Sequence, residues 1–296
     1  MEEKKLTVKD SSLAFFVGFL LCQLSVVVAT CIGLIIAKIF KFSTNQFELF
    51  LNTGLGYFIL TLFLDLTMIA IFLFFNKNKT NKIFKKITTK KVLFYILVAV
   101  ASFATLYPII ICIDSLLIRL NITSNTIPYA LTTKNYFISI LSLVILPAIC
   151  EELLFRGIIF KGLKQHGKIF SVCITAIMFS IFHMSTTQTV YPLLMGLLLS
   201  VIMFYEDNIY YCIIVHTVNN FISLTVSYFN LKLFFNHWSY IILAIVLAGL
   251  FIATLTYFII KNHKNNEKQP LLKNDKYYII FSIAIMLLIW LVVAFV

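Results

Sequence analysis

Long apolar runs alternate with short polar ones along almost the whole chain. A membrane span needs about 20 mostly apolar residues. Nine stretches qualify: 13–40, 49–75, 92–118, 136–158, 169–187, 190–205, 209–229, 238–260 and 277–296, the fifth and sixth being the shortest. Two polar segments punctuate the series, NKNKTNKIFKKITTKK (Asn76–Lys91) and KNHKNNEKQPLLKNDK (Lys261–Lys276). No internal repeat or Gly/Ser linker interrupts it. The pattern predicts an all-α fold, a polytopic membrane helix bundle with eight core transmembrane helices and a ninth after the second basic segment. Residues 1–260 then form the bundle, and 261–296 a basic linker and an extra C-terminal transmembrane helix. The first apolar run continues to about Phe40, which is too long for a cleaved signal segment.

Composition agrees with a bilayer as solvent. The chain is 61% hydrophobic and 12% charged with a mean hydropathy of +0.98, whereas soluble domains are about 25% charged. The net charge of +12 does not mark a nucleic-acid protein, because the lysines lie in short loops between apolar runs. With the N-terminus cytoplasmic and nine alternating spans, 19 of the 24 lysines and arginines fall on the cytoplasmic side. That asymmetry predicts a multi-pass cell-membrane protein with its N-terminus inside and its C-terminus outside. The six cysteines fall within apolar runs without metal-type spacing, and read as small core residues.

Against this background a few polar residues inside the spans stand out. The run ILPAICEELLFRGIIF, Ile145–Phe160, holds two adjacent glutamates and an arginine, and an ionised carboxylate in a bilayer is costly unless compensated. Glu152 and Arg156 are four apart and share a helix face, so they pair. Glu151 is turned about 100° away and is left for another helix. Pro147 has no N–H for the carbonyl of Leu143 and opens the backbone above the carboxylates. FSIFH puts Phe179 and His183 on one face of the fifth span, and HTVNN puts His216 and Asn220 on one face of the seventh, with Asn219 turned away. Taken singly, each such residue reads as interhelical hydrogen bonding. A glutamate, two histidines and an asparagine together in one bundle read as chemistry. Asp65 and Asp114 also lie within spans and read as structural, and His166, His237 and His263 fall in loops as solvated residues.

EExxxR (Glu151, Glu152, Arg156), FxxxH (Phe179, His183) and HxxxN (His216, Asn220), in that order on successive membrane helices, resemble the type II CAAX prenyl protease and bacteriocin-processing family, also called the CPBP or abortive-infection family. The resemblance covers roughly residues 135–230. It implies an intramembrane endopeptidase acting on membrane-associated or peptide-precursor substrates. It also implies that Glu151 with His183 activates the attacking water, while His216 and Asn220 form the oxyanion hole. Glu152, Arg156 and Phe179 support them. An apolar pocket strengthens a carboxylate as a base, and two donors four apart on one helix can converge on one oxyanion.

The rival chemistry is zinc held by Glu151, His183 and His216, a His2Glu set. No HExxH helix is present, and a mechanism without a cofactor is the expectation. The rival function is a non-catalytic membrane immunity or scaffold protein, or a proton-coupled transporter using Glu151 and Asp65. The partners expected are a peptide or membrane-protein substrate and the lipid bilayer, with no nucleic acid. Simple span boundaries leave Glu151 and His183 about 10–15 Å apart in depth. The site therefore requires that the turn STTQT, Ser185–Thr189, lie below the outer surface, or that the fourth span end early.

Overall fold

The computed structural model describes residues 5–77, 83–119, 133–185, 189–229 and 269–295, with positions 231, 242 and 246. His237, His263 and the eighth predicted span apart from positions 242 and 246 lie outside the described residues, as does the side chain of Asp114. Among the described residues the chain is helical, with no strand. Helix α1 (Val8–Ile39) starts at a capping box between Thr7 and Asp10, which satisfies the helix's first free N–H groups. The predicted second span is broken in two. Helix α2 (Thr44–Leu51) is capped by Ser43, and α3 (Gly54–Asn76) begins afresh at Thr53, whose hydroxyl accepts the Gly56 N–H. Helix α4 is Thr89–Arg119.

The fourth predicted span is one continuous rod with two changes of pitch. It runs through α5 (Thr133–Ser139), a π-helical segment (Ile140–Ile145) and α6 (Leu146–Leu154), which carries both glutamates. A second π segment (Phe155–Ile159), α7 (Phe160–Leu163) and a 3-10 turn (Lys164–His166) complete it. Then follow α8 (Lys168–Phe182), α9 (Val190–Glu206), α10 (Ile209–Tyr228) and α11 (Lys273–Phe295). Six helical stretches among the described residues are long and apolar enough to cross a membrane: 8–39, 54–76, 89–111, 135–166, 209–228 and 273–292. Helices α8 and α9 are apolar but shorter. At 1.5 Å per residue, the 15 residues of α8 reach about 22 Å, against a hydrocarbon core of about 30 Å.

The rod is the hub. Its α6 segment packs against α3 and α10, and the π segment after it packs against α1. Leu154, Phe155, Ile158, Ile159 and Phe160 are fully buried. Helix α1 instead turns Leu24, Val27, Val28, Ile32 and Ile35 outward, as a helix facing lipid does. Helices α8 and α9 approach closely at Gly196, where an added Cβ would lie 3.0 Å from the Ala176 backbone. Small residues allow such contact in membranes.

Segments far apart in sequence meet at one end of the bundle. Asp207, between α9 and α10, accepts Lys161 at 2.5 Å, Lys164 at 2.7 Å and Lys85 at 2.6 Å. Glu206 binds Lys91 and accepts the Tyr95 hydroxyl. Lys9 lies over the ring of Tyr278 at the start of α11, which packs on α1 and α8. His166, expected to be solvated, is buried instead. Its Nδ1 donates to the Gln269 carbonyl at 3.0 Å, because the chain leading into α11 runs across it.

Candidate active site

The site is assembled from α6, α8, α9 and α10. Glu152 and Arg156 are fully buried and paired at 2.8 Å, so the i,i+4 expectation holds. Arg156 also donates Nη2 to the Gly196 carbonyl at 3.2 Å, and its guanidinium lies 4.6 Å from the Phe179 ring centre. A buried ion pair needs such additional partners to offset desolvation. Phe179 is a wall shared by the motifs. It meets the ring of Phe155 at 5.0 Å, that of His183 at 4.9 Å and that of His216 at 5.9 Å, all edge-to-face.

His216 links the two glutamates, a connection the sequence does not reveal. Its Nδ1 lies 2.9 Å from Glu152 Oε1, and its Nε2 lies 3.8 Å from Glu151 Oε2. A carboxylate only accepts, so Nδ1 carries the proton given to Glu152. Glu152 is therefore more than a counter-charge for Arg156, because it also sets the ring of His216. Glu151 Oε2 is buried without a hydrogen-bond partner, and a gap of 3.8 Å is too long for a direct bond.

The π segment before α6 explains a second contact. Leu146 N–H reaches back five residues to Leu141, and Pro147 has no N–H to give Leu143. The Leu143 carbonyl instead accepts Nδ2 of Asn220 at 3.2 Å. This fixes the Asn220 amide and leaves its second N–H for another acceptor. Asn219 does point elsewhere, to Ser102 at 3.0 Å and to the Tyr191 hydroxyl. His183, at the end of α8, donates Nδ1–H to the Phe179 carbonyl at 2.9 Å, so its neutral ring presents Nε2 as an acceptor.

Residues 133–222 match the family model described as type II CAAX prenyl endopeptidase Rce1-like. The match covers 90 of the chain's 296 residues. No curated protein and no solved structure matches the chain. The matched segment contains every residue of the three motifs, from Glu151 to Asn220. The chain thus has several helices long and apolar enough to cross a membrane, and within them a segment similar to a protease family. Among the described residues no group of three His, Cys, Asp or Glu side chains is placed to hold a metal ion. Both Nδ1 atoms are engaged, His216 with Glu152 and His183 with a backbone carbonyl, which leaves each Nε2 facing the site.

Proposed function

We propose that the chain is an intramembrane endopeptidase that hydrolyses peptide bonds with a water activated by Glu151 and no metal cofactor. The observation that carries this reading is the Glu151 carboxylate, buried with one oxygen unpartnered and 3.8 Å from a histidine whose ring Glu152 holds in place. Glu151 takes a proton from water, and the resulting hydroxide attacks the scissile carbonyl carbon. His183 Nε2 accepts the remaining O–H of that water and orients it. The charge that develops on the carbonyl oxygen is met by Asn220, through its second N–H, and by His216 Nε2–H. That role requires the His216 ring to carry both protons when substrate is bound. Glu151 then returns its proton to the leaving amine as the C–N bond breaks, giving a carboxylic acid and a free amine. Losing one oxyanion donor typically costs about 10²–10³ in rate.

The helices form an eight-span core with α11 as a ninth, the N-terminus cytoplasmic and the C-terminus outside. The CAAX prenyl endopeptidase description names a C-terminal substrate motif for that family. For this chain, peptide precursors or membrane-anchored proteins are the substrates proposed. Comparison of membrane and secreted peptides from cells carrying wild type and Glu151→Gln tests the reading. Precursors should accumulate in the variant at unchanged protein level, and identical peptide profiles would refute proteolysis.

A further inference from the structure

The lysines at the end of the bundle around Asp207 outnumber the acids that meet them. Asp207 is one carboxylate with three ammoniums on it: Lys161 and Lys164 share its Oδ1, and Lys85 takes Oδ2. Lys168, four residues beyond Lys164, donates to the Tyr205 hydroxyl and makes no ion pair among the described residues. Lys164 and Lys168 each lie 5.7 Å from the ring centre of Phe204. Glu206, next along, is already matched by Lys91. Around Phe204 and Asp207, four ammoniums therefore face one carboxylate. A cluster that only pinned segments together would balance its charges, because like charges this close repel. The surplus is open to an outside anion, since the side chains of Lys85 and Lys164 are 43% and 31% exposed.

The surroundings indicate which anion. Ile169, beside Lys168, is 69% exposed, and Phe84, beside Lys85, is 49% exposed. The Phe84 ring meets that of Tyr210, also exposed, at 5.5 Å. The lysines lie at the ends of apolar helices, with Tyr205, Tyr210 and Tyr211 among them, and tyrosines of this kind mark the level of the lipid headgroups. A soluble anion would use the ammoniums and leave the exposed apolar side chains in water. A phospholipid uses both.

We propose that this end of the bundle binds an anionic phospholipid, whose phosphate bridges Lys164 and Lys168 while its acyl chains lie along the exposed apolar side chains. Asp207 keeps Lys85 and Lys161, and the phosphate oxygens accept charge-assisted hydrogen bonds from the other two. A zwitterionic headgroup brings a cation of its own into the cluster and is disfavoured. The site is independent of the chemistry at Glu151.

The full chain is tested in nanodiscs of phosphatidylcholine and of an equal mixture of phosphatidylcholine and phosphatidylglycerol. A ligand of the folded state raises Tm, so wild type should melt several degrees higher in the mixture. Lys164→Gln with Lys168→Gln should lose that shift, and the two Lys→Arg changes should keep it. Lys38→Gln with Lys41→Gln, at the other end of α1, removes as much charge and should also keep it. Equal loss in both glutamine pairs would reduce the effect to bulk attraction and overturn the site. Inorganic phosphate added to the phosphatidylcholine nanodiscs should not reproduce the shift, and if it does the lipid is not what is recognised. Native mass spectrometry of wild type from the mixture gives a readout that needs no variant. Phosphatidylglycerol should be retained over phosphatidylcholine, and equal retention would refute the proposal.

Discussion

Glu152 has two claims on it, the guanidinium of Arg156 and the imidazole of His216, and its substitution separates them. Glu152→Gln leaves Arg156 buried without its counter-charge, which costs on the order of 3–5 kcal/mol. Its melting temperature should fall, and turnover should fall with it. Glu152→Gln with Arg156→Gln removes the orphaned charge and should recover part of the stability but little activity, because His216 still lacks its carboxylate partner. Melting and turnover measured side by side check this, and full recovery of both would make Glu152 purely architectural. Activity should also survive exhaustive chelation, and loss restored by one equivalent of zinc would reinstate a metal mechanism. The Glu152–Arg156 pair was legible because helical spacing alone brings it together. The link from Glu152 to His216 was not, because it joins helices whose relative rotation no local pattern encodes.

At the scale of the element, the rod from Thr133 to His166 departs from α-helical pitch on both sides of the glutamates. Such π segments are rare and occur mostly at functional sites. Pro147 keeps the Leu143 carbonyl available to Asn220. Pro147→Ala restores an N–H able to compete for that carbonyl and removes a helix-breaking ring. Stability should be unchanged or slightly higher, while kcat drops several-fold as Asn220 loses its anchor. Unchanged kcat, measured with a peptide from the precursors that accumulate with Glu151→Gln, would mean that Asn220 needs no such support. The missing N–H was readable at Pro147, but the five-residue pitch was not, since the apolar pattern is nearly the same at either pitch. The break between α2 and α3 was missed because Phe50 and Leu51 extend the apolar run while Thr53 caps a new helix. The capping box at Thr7 was likewise overlooked, and α1 starts earlier than the apolar pattern suggested.

Across the whole molecule, the segments that basic-residue counting assigns to one side do meet at one end. Lys9, Lys85, Lys91, Lys161, Lys164 and Gln269 all make contacts there. If that end is cytoplasmic, a cysteine at position 85 should resist membrane-impermeant reagents in intact cells and one at position 41 should react. The reverse pattern would invert the topology. Asp207 also ties this end to acid. Burial alone would raise its carboxyl, but hydrogen bonds from Lys161, Lys164 and Lys85 outweigh that and hold it well below the ordinary value of 3.8. A carboxyl depressed by folding contributes stability that is present above its ordinary value and lost as pH falls through the folded one. Asp207 has φ 47°, which asparagine also tolerates, so Asp207→Asn isolates the charge. Its melting temperature should lie below wild type at pH 7, and the gap should narrow below about pH 4. A gap independent of pH would mean that the lysines contribute nothing through this carboxylate.

The short α8–α9 pair has a consequence for the lipid itself. Acyl chains beside a wall about 22 Å tall must compress, tilt or admit headgroups and water, at a fraction of a kcal/mol per Å of mismatch. The protein would then carry a dimple in its own membrane, on the flank where His183 ends. A passing helix that spans the undisturbed bilayer would be too long for that dimple. Its excess turn would emerge into water on that flank, where backbone hydrogen bonds open at little cost and a peptide bond can be presented in extended form.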